Sequence, residues 1–221
     1  MMTTTVFIGG TGTDIGKTYV TCLLLRQLQD RGLAVRAIKP VISGFDPQAV
    51  EQSDSGLLLR AMGLEAGLKN INNISPWRFK DPLPPHLAAE NTGQPLNLDH
   101  IADFCRQQAT EDLDFLLIEG VGGIMTPLTY HHTTLDLIMG LECRCLLVTG
   151  SALGTLSHTL SAIACLQQSA VTLDGLIISE SPLSYTDFDV VFNDFTKIIP
   201  HMAIKKISRH DYSEEIFSLI I

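Results

Sequence analysis

The chain has 221 residues, 45% of them hydrophobic and 18% charged, and a formal net charge of −9. That balance describes one globular domain with a well-filled core and excludes a disordered or fibrous chain. The acidic net charge argues against nucleic-acid binding, and no apolar run approaches the ~20 residues of a membrane span. In chain order, strands are predicted at Thr4–Ile8, Ala34–Lys39, Phe115–Glu119, Cys145–Thr149, Leu176–Ser179 and, more weakly, Met202–Ile207. Between them, helical periodicity marks Lys17–Asp30, Ser53–Met62, Leu98–Ala109, Thr133–Leu141, Thr155–Gln168 and Tyr185–Ile198, with a last short helix over Tyr212–Leu219. Runs such as Phe115-Leu116-Leu117-Ile118 are apolar on both faces, which suits a parallel sheet covered by helices. The expected fold is therefore α/β, three layers with a mainly parallel central sheet flanked by helices, whose ligands bind beyond the carboxyl ends of the strands.

Gly67 to Pro95 breaks this alternation. It is rich in Asn and Pro and holds the only tryptophan, Trp77. It is long for a connector and reads equally as a surface excursion or as a lid over a substrate. The chain begins directly with a strand and lacks the basic start and apolar core of a signal peptide. The five cysteines are odd in number and show no zinc spacing. Cys143 and Cys145 would share a strand face and suit core packing. Reduced, buried thiols in a cytoplasmic protein are expected.

The richest stretch is Phe7-Ile8-Gly9-Gly10-Thr11-Gly12-Thr13-Asp14-Ile15-Gly16-Lys17-Thr18. A strand enters a glycine-rich loop that closes with Gly-Lys-Thr at a helix start. Such a loop turns backbone N–H groups onto a polyphosphate, Lys17 adds a mobile cation and Thr18 a hydroxyl for magnesium. The positive end of the following helix faces the same anion. The pattern is a variant one, because Thr11 stands where the usual motif begins with Gly. It predicts binding of a nucleoside triphosphate through Gly12, Thr13, Asp14, Ile15, Gly16, Lys17 and Thr18.

Other polar residues fall where strands stop. Lys39 closes the second strand in Ile38-Lys39-Pro40-Val41-Ile42-Ser43-Gly44, beside the phosphate loop in such a fold. Glu119 closes the third in Leu117-Ile118-Glu119-Gly120-Val121-Gly122-Gly123, the place of the magnesium carboxylate of phosphate-loop enzymes. Asp54 reads as a helix cap or, alternatively, as a second magnesium carboxylate. Gly150 to Ser157 reads either as a second anion site at a helix start or as simple capping of that helix. His86 reads as a structural residue at the start of a short helix, and His131-His132 as a solvated loop pair.

In that order the motifs resemble the dethiobiotin synthetases: the phosphate loop, Lys39-Pro40-Val41-Ile42-Ser43-Gly44, Ser53-Asp54, Pro85-His86, Glu119-Gly120-Val121-Gly122-Gly123, Thr126-Pro127-Leu128 and the Leu153-Gly154 turn. The Lys-Pro-x-x-Ser-Gly element is the discriminating piece. The resemblance implies an ATP-dependent cyclo-ligase that joins carbon dioxide to 7,8-diaminononanoate through a carbamate and a carbamic-phosphoric anhydride. It implies Lys17 on the β- and γ-phosphates, and Thr18, Asp54 and Glu119 on magnesium. It implies Lys39 on the carbamate and the transferring phosphoryl group, Thr13 on carbamate or phosphate, and Ser43 on diamine or carbamate. It also implies a cytoplasmic homodimer, with Leu153, Gly154, Thr155 and Leu156 receiving the substrate's carboxylate tail at the interface.

Two departures bear on the nucleotide base. Ser179-Glu180 stands where many members have Asn-Asp, and Ile204-Lys205-Lys206-Ile207 replaces a Gly-x-x-Pro element. Serine cannot supply the paired donor and acceptor of asparagine, so weaker selection for adenine is expected. Competing readings are an amide ligase, whose usual glutaminase domain this length excludes, and an ATP-switched partitioning or scaffold ATPase. The latter type carries an extra lysine early in the loop, which Thr11 to Asp14 do not offer.

Overall fold

The computed structural model describes residues 3–209 and 213–221. The chain opens with β1 (Thr4–Gly10) and α1 (Lys17–Gln29), then β2 (Val35–Ile38) and a short β3 (Val41–Ser43). It continues through α2 (Asp54–Ala61), α3 (Leu68–Asn72), β4 (Trp77–Phe79), α4 (Pro85–Asn91) and α5 (Leu98–Gln107). Its second half alternates β5 (Phe115–Glu119), α6 (Thr134–Leu141), β6 (Arg144–Thr149), α7 (Thr155–Gln168), β7 (Leu173–Ser179), α8 (Phe188–Ile198) and β8 (Ile204–Ile207).

Six strands form one parallel sheet in the order β2-β5-β1-β6-β7-β8, flanked by helices. All its strands run the same way, so Ile38, Glu119, Gly10, Thr149 and Ser179 end at one edge. The order reverses at β1, which pairs with β5 on one side and β6 on the other. A ligand crevice forms at such a reversal because the two neighbouring connections leave in opposite directions. The central strands are apolar on both faces, and Val6, Ile8, Leu116, Leu117, Ile118, Leu146 and Leu147 are fully buried. Each such side chain contributes about 1.5–3 kcal/mol by leaving water. The edge strand β8 carries Lys205 and Lys206, charges that discourage pairing with another sheet edge.

Local chemistry explains most boundaries. Ser53 caps α2 by accepting from the Gly56 N–H at 3.1 Å, and Asn97 caps α5 by accepting from the His100 N–H at 3.0 Å. Thr133 and Asp136 form a reciprocal capping box at the start of α6. Several expectations shift. The second strand stops at Ile38, and after Lys39-Pro40 a separate strand, β3, begins, because Pro40 has no N–H to continue the ladder. The helix expected from Tyr185 starts only at Phe188, where the Asp187 side chain accepts from the Asp189 N–H. Of the last helix, Tyr212 lies outside the described residues and only a single 3-10 turn forms, Phe217–Leu219.

The irregular Gly67–Pro95 stretch is built rather than loose. It holds α3, β4 and α4, and β4 lies parallel to β3 with Val41 opposite Trp77 and Ser43 opposite Phe79. Trp77 packs edge-on against Phe104 of α5, with ring centres 5.7 Å apart. The buried hydroxyls of Ser55 and Ser75 meet at 2.5 Å, which ties α2 to this excursion. The segment thus supplies one strand of a small second sheet, and beyond that strand Pro82 to Pro85 reach the main cavity.

Candidate active site

The carboxyl edge of the sheet holds a cavity of about 670 Å³. The phosphate loop and α1 bound it on one side with Thr13, Asp14, Gly16, Lys17 and Thr18. Lys39, Ile42, Ser43 and Asp54 come from the β2–α2 connection, and Glu119, Val121, Gly122, Thr126 and Pro127 from the loop after β5. Pro82 to Pro85 close the remaining wall.

Gly16 takes φ +96° at the N-terminus of α1, a left-handed geometry that favours glycine. A Cβ there would also stand 2.5 Å from the Ser179 hydroxyl. At Gly10 the constraint is space: a Cβ would lie 2.8 Å from Lys17 Cδ. The missing side chain lets Lys17 cross its own loop and donate from Nζ to the Gly12 carbonyl at 2.6 Å.

Three charged groups converge beyond the loop. Lys39 Nζ donates to Glu119 Oε1 at 2.7 Å and to Asp54 Oδ2 at 2.5 Å. The Thr18 hydroxyl donates to the same Glu119 Oε1 at 2.7 Å. Lys39 and Glu119 are buried, with side chains 6% and 0% exposed, whereas Asp54 is 42% exposed to the cavity. Among the described residues, Glu119 Oε2 is buried without a hydrogen-bond partner. Ser53, not Asp54, caps α2, which leaves the Asp54 carboxylate free for Lys39. Of the two readings of Asp54, the geometry therefore removes the cap.

The electrostatics follow from that packing. Burial would lower the pKa of Lys39, but Glu119 and Asp54 outweigh it and hold the ammonium above its ordinary value. Burial would raise Asp54, and Lys39 outweighs it in turn. Lys17 has no carboxylate so close. Burial, and then the like charge of Lys39, pull it down to about 8.

The other expected residues separate into three groups. Ser43 lines the cavity with a buried hydroxyl that lacks a partner among the described residues. Gly122 lines it at φ +63°, and the adjacent Gly123 N–H donates to the Thr126 hydroxyl at 2.8 Å. Ile15 and Ser179 line instead a neighbouring cavity of about 300 Å³, with Asp14, Gly16, Tyr19, Glu180, Pro182, Ser208 and Arg209. Gly12 is reached through its carbonyl. Leu153, Gly154, Thr155 and Leu156 do not line the main cavity, and Leu153 is 87% exposed. Thr155 does not cap α7, because its hydroxyl donates back to the Gly150 carbonyl at 2.6 Å.

His86 packs edge-on against Tyr130, centre to centre 5.0 Å, and His131 and His132 are exposed. Among the described residues no cluster of three His, Cys, Asp or Glu forms. Reading motifs alone missed the Pro82–Leu83–Pro84 wall, Tyr19 and Arg209. The prolines gave a signal, since Pro82 and Pro84-Pro85 bracket the irregular stretch, but Tyr19 and Arg209 gave none.

A glycine-rich loop between β1 and α1, a strand-end carboxylate on the adjacent strand and a parallel sheet that reverses at β1 define a phosphate-loop nucleotide-binding protein. Solved structures with this fold include a ParA family ATPase from Chlorobium tepidum, at TM-score 0.56 and 14% identity over 94% of this chain and 85% of that one. A nucleotide-binding protein from Archaeoglobus fulgidus in complex with ADP matches at TM-score 0.52 and 14% identity, over 94% of this chain and 82% of that one. The AAA domain family model matches residues 4–209. Among curated proteins, the ATP-dependent dethiobiotin synthetase BioD of Caulobacter vibrioides is 43% identical over 83% of this chain and 83% of its own length. That of Caulobacter sp. (strain K31) is 45% identical over 83% of this chain and 79% of its own. That of Francisella tularensis subsp. holarctica is 32% identical over 93% of both. The chain belongs to the ATP-dependent dethiobiotin synthetase family.

Proposed function

We propose that this protein forms dethiobiotin from 7,8-diaminononanoate, carbon dioxide and ATP. The observation that carries this reading is a buried lysine, Lys39, held between Asp54 and Glu119 inside the phosphate-loop cavity. A pure nucleotide switch has no evident use for it. Two anions must meet in this reaction, the carbamate of one substrate amine and the triphosphate, and cations must offset their repulsion.

Thr18, Asp54 and Glu119 would hold magnesium. The fit rests on donor chemistry: the set is all oxygen, as a hard cation requires, and Glu119 Oε2 is buried and unpartnered. When bound, the ion would offset charge on the phosphate oxygens. Lys17 and the loop N–H groups bind the β- and γ-phosphates, and Thr13 contacts the reacting groups. Lys39 neutralises the carbamate as its oxygen attacks the γ-phosphorus and ADP leaves. Ser43, whose hydroxyl lacks a protein partner, orients the diamine or carbamate. The second amine then attacks the anhydride carbonyl, phosphate departs, and the cyclic urea closes. Pro82 to Pro85 and Val121 exclude water from the anhydride.

Leu153 to Leu156 lie off this chain's own main cavity, which suits a homodimer in which that turn serves the partner's substrate tail. Ser179 lines the smaller cavity, which in this reading would receive the nucleotide base. Among the described residues no helix is long and apolar enough to cross a membrane. The test is phosphate release from MgATP with and without 7,8-diaminononanoate and bicarbonate. Release that needs both, with dethiobiotin seen by mass spectrometry, supports the reading. Release without the diamine overturns it in favour of a switch ATPase.

A further inference from the structure

We infer that Lys39 is an exchangeable counter-ion of its own metal site: it holds Asp54 and Glu119 together until a metal-nucleotide takes over those carboxylates and frees its ammonium for the substrate. The inference rests on the proposed reaction for its purpose, but its geometry is independent of the substrate. Two carboxylates face each other across the cavity floor, and each gives Lys39 an oxygen, Asp54 Oδ2 at 2.5 Å and Glu119 Oε1 at 2.7 Å. Glu119 Oε1 already accepts from Thr18 as well, so the three expected metal ligands and the lysine share one knot of contacts. Two facing carboxylates, the Glu119 one fully buried, favour a cation between them, because an uncompensated buried charge is costly. A lysine and a divalent ion compete for the same oxygens, and the divalent ion carries twice the charge.

What can move is also defined. The Lys39 backbone is pinned: its N–H donates to the Ile74 carbonyl at 3.0 Å, and Pro40 follows. The four-carbon stem alone is free to swing, and a compact ammonium on a flexible stem suits such a transfer. Where it lies, both of its observed side-chain bonds go to Asp54 and Glu119 and its side chain is only 6% exposed at the edge of the cavity. Ser43, with its unpartnered hydroxyl, lines the same cavity and marks where the freed ammonium would arrive.

The test is Mn²⁺ affinity of the nucleotide-free protein by electron paramagnetic resonance, for wild type, Lys39→Met and Lys39→Arg. Removing the competitor should tighten Mn²⁺ binding about tenfold or more, whereas Lys39→Arg, which keeps the charge, should not. Unchanged or weaker binding by Lys39→Met overturns the exchange. Should Lys39→Met fail to fold by circular dichroism, the wild type decides by nitrogen-15 resonances of its lysine ammonium groups, with Lys39→Arg as the assignment control. A shift of the Lys39 signal on adding MgADP supports the exchange, and an unmoved signal overturns it. Diamine-dependent phosphate release tests the synthetase reading separately and can succeed while these affinities fail.

Discussion

Thr11 and Thr149 lie 138 residues apart in the chain and join their hydroxyls at 2.9 Å, the first at the end of β1 and the second at the end of β6. Thr149 is fully buried and also stands 2.8 Å from the hydroxyls of both Thr155 and Thr159. Thr155 donates to Gly150 O and Thr159 to Thr155 O, so the proton of Thr149 serves this pair and Thr11 donates to Thr149. The phosphate loop and the start of α7 are thereby held at one spacing. Thr149→Val keeps the shape and leaves these hydroxyls short of a partner. It should cost about 1–3 kcal/mol in denaturant unfolding, with Thr149→Ser close to wild type. A Val variant as stable as wild type would show the network to be incidental.

Lys39→Ala should retain or tighten nucleotide binding and reduce turnover by about a hundredfold or more, because its charge is needed most in the transition state. Calorimetry with ADP and a single-turnover assay separate the two effects. Lost nucleotide binding would make Lys39 a ground-state phosphate ligand instead.

Glu119→Gln replaces a carboxylate by a neutral amide in the set expected to hold magnesium. The magnesium concentration for half-maximal activity should rise about tenfold or more. An unchanged magnesium titration would remove Glu119 from the metal site.

Lys17 titrates near 8 in the folded protein, below the ordinary lysine value of 10.5. Below that pH the ammonium is charged and attracts phosphate. Bound triphosphate favours the charged form, so affinity should be level below about pH 8 and fall by up to about tenfold per unit above it. The same depression means that burial opposes folding below pH 8. This opposition is relieved as pH rises toward the unfolded value. Calorimetric titration of ADP at successive pH values, with Lys17→Met as the flat control, checks the slope.

Weak base discrimination is expected from the smaller cavity, where Ser179 offers a single hydroxyl and the Glu180 carboxylate already accepts from the Arg209 N–H at 2.8 Å. Phosphate release with ATP, GTP and CTP should agree within about tenfold, because Ser179 by itself offers no paired donor and acceptor to reject a wrong base edge. Strict dependence on ATP would show that Tyr19, Ser208 or Arg209 reads the base.

The sheet and the phosphate loop were legible in the chain because their information is local. Runs such as Leu116-Leu117-Ile118 announce strands buried on both faces, and Gly16-Lys17-Thr18 after such a strand announces an anion cradle. Lys39 and Glu119 were legible as strand ends for the same reason. What tertiary structure decided was the pairing. Asp54 read first as a helix cap, and only packing shows that Ser53 takes the cap while Asp54 turns to Lys39, 15 residues away. Gly67 to Pro95 showed no period because α3 and β4 are too short to display one, and β4 is fixed by its register with β3. The lowered pKa of Lys17 and the Thr11–Thr149 tie likewise exist only once distant strands lie side by side. Periodicity records what each residue does to its near neighbours; burial, charge pairing and register depend on neighbours that the fold alone supplies.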